Sequence, residues 1–270
     1  MSAPMEIGQQ PMMQSQEISK LEKSLSLIIL ISSKELKLLL RNSIDSEIID
    51  QNYTYYSEEI EIEKILTELK IKLKEFDLIN VGKVTLILNN KLSVLVPNDF
   101  FQEENCLDYL KFNSRLIKND TASSDYIEEL KTHNVYIAYG NITNYLIEKF
   151  GSFEYFHYNT VLLKKLHHEL FTDKKIIIYL NINKSYLNII VFKGRELNYS
   201  NSFNYKSKDD ILYFLLFVME QNKLVNNKTK IKLIGEKEDT NHHYTYLSKF
   251  VKNIEIKNSG YAIENIVIWE

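Results

Sequence analysis

From residue 21 onward, apolar residues fall into short runs separated by polar turns, and the spacing of those runs predicts the elements. Strands are expected over 25–31, 35–40 and 44–49, with Ser32-Ser33-Lys34 and Asn42-Ser43 as turns. A helix follows. Ser57 is placed to cap it, Glu58 and Glu59 suit its positive end, and Ile62, Ile65, Leu66, Leu69, Leu73 and Phe76 share one face. Segments 83–88 and 92–96 read as strands of a hairpin around Asn89-Asn90, and Pro97 ends the second. A helix is expected over 100–112 and an exposed loop over 118–124. Next come a strand over 134–139 stopped by Gly140, a helix over 141–150, a strand over 153–158, and a helix marked by Leu162, Leu166 and Leu170.

The opening pattern then returns. Strands are expected over 175–181, 186–192 and 196–203, then a helix over 208–222 for which Ser207 and Asp210 fit a capping box. A strand over 230–234, a helix over 241–251 and a strand over 254–257 complete the chain. Both halves therefore read strand, strand, strand, helix, strand. Three sequential strands expose an apolar face that the helix covers, and the next strand adds in parallel through a right-handed crossover. The 208–222 helix carries apolar residues on most of its circumference, with Ile211, Leu215 and Val218 beside Leu212, Leu216 and Met219. That pattern predicts burial on more than one side, wedged between its own sheet and the other half.

Composition narrows the classes. The 270 residues suffice for one large or two medium domains. Lys+Arg is 33 against Asp+Glu 36, a net charge of −3, which argues against nucleic acid as a partner. One cysteine, Cys106, cannot form an intrachain disulfide. The longest apolar run, 211–219, is under half of the roughly 20 residues that span a bilayer, so no membrane insertion is expected and the cytoplasm is the expected location. Residues 1–20, which hold four of the five methionines and two of the three prolines, read as a disordered leader. The chain has seven glycines, and phosphate-binding loops depend on glycine for close backbone approach.

Four segments carry a resemblance to a known family: Lys91-Leu92-Ser93-Val94-Leu95-Val96-Pro97, Tyr109-Leu110-Lys111-Phe112-Asn113, Asn134-Val135-Tyr136-Ile137 and Phe150-Gly151-Ser152-Phe153-Glu154. Together with the doubled order of elements they make residues 23–258 similar to the actin-like ATPase superfamily (actin, Hsp70, sugar kinases, bacterial pilus and division proteins). Within it, the chain resembles a Bacteroidetes domain-of-unknown-function family. The resemblance implies a two-lobed α/β fold of the actin-like, ribonuclease-H-like type built from duplicated βββαβα units. The lobes would span 21–172 and 173–270. It lends no catalytic residue.

The resemblance also says where a nucleotide would sit. An actin-like ATPase places an Asp-x-Gly turn between the first two strands of each half, with glycines for the phosphates and acids for Mg²⁺. Here the first turn is Ser32-Ser33-Lys34, with neither acid nor glycine. The second is Asn181-Ile182-Asn183-Lys184-Ser185, where Asn181 or Asn183 keeps an acceptor oxygen without the charge. The adenosine turn would be Gly235-Glu236-Lys237-Glu238, with one glycine and acids that repel phosphate. These departures predict a degenerate site without cofactor or metal and no hydrolysis. If a nucleotide binds at all, Asn181, Asn183, Lys184 and Gly235 are the residues to hold it.

Other constellations favour structure over chemistry. His167-His168 and His242-His243 diverge by about 100° on a helix and do not suit one metal ion. Gly151-Ser152-Phe153 is not the nucleophile elbow of a hydrolase. Glu58-Glu59 and Glu103-Glu104 read as solvated helix ends, and tyrosine clusters as core edges. The expectation is a non-catalytic scaffold meeting an unidentified protein partner through the cleft or through a patch at Phe112, Asn113, Gly151, Ser152 and Phe153. The alternatives are an atypical nucleotide-binding switch or kinase, and an accessory RNA-binding protein.

Overall fold

A computed structural model describes residues 25–111, 121–170, 175–183, 186–226, 228–235 and 237–257. The expected leader and both termini of the expected lobes, including the boundary at 172–173, lie outside these residues.

The first sheet is built from β1 (Leu25–Ser32), β2 (Glu35–Asn42), β3 (Ile48–Tyr55), β4 (Val81–Leu88) and β8 (Glu154–His157), in the order β3-β2-β1-β4-β8. The second contains β9 (Ile176–Ile182), β10 (Leu187–Lys193), β11 (Glu196–Phe203), β12 (Lys230–Gly235) and β13 (Ile254–Ile256), in the order β11-β10-β9-β12-β13. The two orders are the same in kind. β1 and β9 each pair antiparallel with the next strand and parallel with the strand after the crossover helix. The near-continuous apolar runs of β1 and β9 follow from that central position, covered on both faces. A small third sheet, β5-β7-β6, consists of β5 (Ser93–Pro97), β6 (Thr121–Ile127) and β7 (Thr132–Ala138).

The helices are α1 (Ile62–Lys72), α2 (Cys106–Lys111), α3 (Gly140–Phe150), α4 (Tyr158–His168), α5 (Lys208–Gln221) and α6 (Lys237–Leu247). α1 and α3 cover one face of the first sheet through Ile65, Leu69, Ile142 and Leu146. α5 and α6 cover one face of the second through Ile211, Leu215, Val218 and Leu247. The two remaining faces meet on α4. Its Val161, Leu162 and Leu166 share one core with Ile28, Leu30 and Leu39 of the first sheet and Tyr179, Ile190 and Phe192 of the second. Each such leucine contributes roughly 1.5–3 kcal/mol by burial.

The wedge is therefore α4, not the 208–222 helix. In α4 every residue except Lys164 and His168 is buried. In α5 the buried stripe is Ile211, Leu215, Val218 and Met219, and Tyr213 is left 62% exposed beside half-exposed Leu216 and Phe217. Other expectations also change. β4 and β5 belong to different sheets, so Asn89-Asn90 is a crossing between layers and not a hairpin turn. The expected loop over 118–124 contributes its described end to β6. Its polar side chains suit an edge strand whose partner β7 supplies the buried face. The third strand runs over Ile48–Tyr55 and takes up the tyrosine cluster. Ser57 does not cap α1, whose N-cap is Glu61, whereas the Ser207–Asp210 capping box of α5 forms as expected.

Candidate functional site

The ends of β1 and β9, their turns, and the N-terminus of α4 converge where the two sheets face each other. In the first turn Ser32 pairs with Glu35, and Ser32 Oγ accepts from the Lys34 backbone N–H at 3.1 Å. The carbonyls of Ser33 and Lys34 accept from Ile60 N and Tyr56 N, at 2.9 Å each. The first turn thus spends its polar groups on the segment leading into α1.

From the second sheet, Tyr186 reaches across. Its side chain is fully buried, and its hydroxyl donates to Asn89 Oδ1 at 2.6 Å. Burial pushes the hydroxyl's pKa well above its ordinary value, so it stays a donor. Asn89 Nδ2 donates onward to Glu35 Oε1 at 3.1 Å, and Glu35 pairs with Lys37 at 3.3 Å. Asparagines form a second chain. Asn181 and Asn183 both donate to Asn188 Oδ1, at 3.3 and 3.1 Å. Asn188 Nδ2 donates to Asn159 Oδ1 at 2.9 Å and to Ser202 Oγ at 3.0 Å, and Asn159 Nδ2 donates to Ser93 Oγ at 3.2 Å. At the rim Lys91 Nζ donates to Asn204 Oδ1 at 3.0 Å.

The wedge helix is fixed from its N-terminus. His157 is its N-cap and is wholly buried; its Nδ1 accepts from Asn159 N at 3.1 Å, and its Nε2 donates to Asn90 O at 2.8 Å. Desolvation lowers its pKa from 6.5 to about 4, against the smaller opposing effect of the Asn90 carbonyl. Asp125 of β6 collects the remaining donors: His157 N at 2.9 Å, Thr160 Oγ1 at 2.6 Å and Tyr136 OH at 2.8 Å. Placing a carboxylate at the helix N-terminus is favourable both as a hydrogen-bond acceptor and against the dipole. At the other end Arg195 donates to Leu170 O at 2.9 Å and to His167 Nδ1 at 3.2 Å, and Lys257 pairs with Glu169.

The expected nucleotide residues are thus brought together in part. Asn181 and Asn183 lie at the centre, with their amide nitrogens committed to Asn188. Lys184 lies outside the described residues. Gly235 ends β12 at φ +137°, and a Cβ there would stand 2.6 Å from Ile182 O, so close packing of β12 on β9 accounts for the glycine without a phosphate. A Mg²⁺–nucleotide does not fit this donor set. Glu35, the acid beside the first turn, is committed to Asn89 and Lys37, the amide oxygen of Asn188 is occupied twice, and Tyr186 bridges the sheets.

In the proposed patch, Phe112 and Asn113 lie outside the described residues. Gly151 caps α3 at φ +77°, its N–H donating to Ile147 O at 2.8 Å, Ser152 is exposed, and Phe153 packs against the first-sheet core. Among the described residues no cluster of three or more His, Cys, Asp or Glu side chains could hold a metal. No helix among them is long and apolar enough to cross a membrane. Sequence reasoning missed Tyr186, Asn188, Asn159, His157 and Asp125. The one visible signal was asparagine recurring at the ends of apolar strands.

Two central strands of matched topology, each flanked by an antiparallel hairpin and a parallel crossover strand, define the actin-like ATPase fold. Solved structures agree. A Bacteroides thetaiotaomicron protein with an actin-like ATPase fold and unknown function superposes with a TM-score of 0.78 at 18% identity, covering 92% of this chain and 97% of that one. A PilM–PilN type IV pilus biogenesis complex superposes with a TM-score of 0.50 at 13% identity, covering 87% and 88%. The chain belongs to the DUF3822 family, described as proteins of unknown function, whose model matches residues 14–254. No curated protein matches it.

Proposed function

We propose that this protein is a non-catalytic interaction protein, an actin-like fold whose cleft is filled by its own side chains. The observation that carries this reading is the Tyr186–Asn89 hydrogen bond, made between the sheets where the fold would otherwise receive phosphates. Around it, the amide nitrogens of Asn181 and Asn183 are taken by Asn188, Asn181 Oδ1 is buried without a partner, and a magnesium site would favour charged oxygens in place of these amides. Work done by such a molecule falls to its outer surface. Tyr213, Leu216 and Phe217 stand at i, i+3 and i+4 on α5, an exposed apolar stripe of the kind a partner covers.

Thermal unfolding with and without millimolar MgATP tests the proposal. A ligand at 100 times its Kd adds about 2.7 kcal/mol, on the order of 5–10 °C for a domain of this class. The melting temperature is expected to stay unchanged. A rise of that size that disappears when Mg²⁺ is chelated overturns the proposal in favour of a nucleotide-dependent switch.

A further inference from the structure

β4 and β12 occupy the same place in the two sheets, each lying parallel to the central strand on one side and to the outer strand, β8 or β13, on the other. The last pairs of the two registers, Ile31–Leu88 and Ile182–Gly235, match Thr85 of the first sheet with Lys232 of the second, and Lys83 with Lys230. The outer strands agree with that match, since Thr85 pairs with Glu154 and Lys232 with Glu255. One ion pair is common to both sheets: Lys83 lies 2.9 Å from Glu154, and Lys230 lies 2.9 Å from Glu255. The next position on that face differs. Thr85 is buried and uncharged, whereas half-buried Lys232 adds an ammonium without adding a carboxylate.

We propose that Lys232 is an amine nucleophile that takes an acyl group from an anionic donor of the acyl phosphate class. Both carboxylates near it are committed elsewhere, Glu255 to Lys230, and Glu169, which directly follows α4, to Lys257. Among the described residues Lys232 forms no ion pair, and its Nζ lies 5.3 Å from the centroid of the Tyr179 ring. The face of that ring favours the ammonium. Burial opposes it, followed by the ammoniums of Lys257 and Lys230, and these lower the pKa of Lys232 against the smaller pull of Glu255 and Glu169. From α4, Lys165 shares the neighbours Glu169 and Lys257 and adds another cation to the cluster. Burial pushes the Tyr179 hydroxyl up, so it stays protonated and contributes no charge. A half-buried lysine beside other cations holds more free amine at neutral pH than an exposed one does, and the same cations attract a phosphate. The Nζ lone pair attacks the carbonyl carbon of the donor. The N–C bond forms as the C–O bond to phosphate breaks, and phosphate leaves with that electron pair and takes up the amine proton. The inference stands apart from the state of the cleft.

Initial acetylation rates at each lysine of the full chain, followed by mass-spectrometric peptide mapping, test it. Two donors are compared, acetyl phosphate and the uncharged N-hydroxysuccinimide ester of acetic acid. At about pH 7.5 both are expected to acetylate Lys232 about fivefold or more faster than the exposed Lys64 and Lys228. As pH is raised, the rate at Lys232 should level off while the rates at those two still climb. Lys230→Met removes a neighbouring cation and frees Glu255 to hold the Lys232 ammonium. It is expected to slow Lys232 by about threefold or more with either donor and to leave Lys64 unchanged. Lys230 is exposed, so the circular dichroism spectrum and melting temperature should hold. Acetylation of Lys232 no faster than of Lys64, or a rate indifferent to Lys230→Met, would overturn the inference. So would a preference seen with acetyl phosphate alone, which would mark an anion-binding lysine and not a nucleophile.

Discussion

Tyr186 donates its hydroxyl hydrogen to Asn89 Oδ1 at 2.6 Å; Asn89 directly follows β4 of the first sheet and Tyr186 directly precedes β10 of the second. A fully buried tyrosine hydrogen-bonded to a residue of the other sheet's connection ties the two sheets directly. Asn89 is satisfied on both ends of its amide only while Tyr186 is present.

Tyr186→Phe keeps the ring and removes the donor. It leaves Asn89 Oδ1 buried without that partner, and an unsatisfied buried acceptor costs about 1–3 kcal/mol. Urea denaturation should show a loss of that size with an unchanged m-value. A neutral substitution would mean that the hydroxyl does not hold the sheets together.

His157 gives the molecule an acid-side weakness. The folded state holds it neutral, with a pKa lowered from 6.5 to about 4, so the unfolded chain binds the extra proton between those values. Stability must therefore rise with pH across that window and fall as pH drops through it. Integrated over the shift, the linkage amounts to roughly 3 kcal/mol. His157→Gln cannot titrate there. Subtracting its denaturation free energies from those of the wild type should expose the slope between pH 4 and 6.5, and parallel profiles would contradict the assignment.

Gly235→Ala places a Cβ 2.6 Å from the Ile182 carbonyl oxygen and keeps a positive φ that side chains rarely adopt. Destabilisation of about 1–3 kcal/mol is expected with no ligand present. If the variant is as stable as the wild type, the glycine is not there to let β12 approach β9, and a phosphate-binding role returns to consideration.

The doubled βββαβ order was legible because strands such as β1, β2, β9 and β10 are buried along most of their length and read as apolar runs. The wedge was not. α5 has the denser apolar pattern, yet Tyr213 and Phe217 face outward. α4 is buried with Asn159, Thr160, Lys165 and His167 included. Polar residues can be buried when partners meet them, and here those of Thr160 and Asn159 come from β6, β10 and β5, far away in sequence. Periodicity reports a helix's own faces and carries no information on such partners. The same blindness hid the asparagine chain: Asn183 was legible as a missing acid, but not as a donor to Asn188. The described end of the 118–124 segment resembles a loop in sequence because Thr121, Ser123 and Ser124 lack an apolar alternation.

The most direct test is a crystal structure of the protein grown with magnesium and a non-hydrolysable ATP analogue. The account predicts Tyr186 still bonded to Asn89, Asn181 and Asn183 still turned toward Asn188, and no nucleotide between the sheets. Ordered magnesium and triphosphate in that space, with Tyr186 displaced, would contradict it.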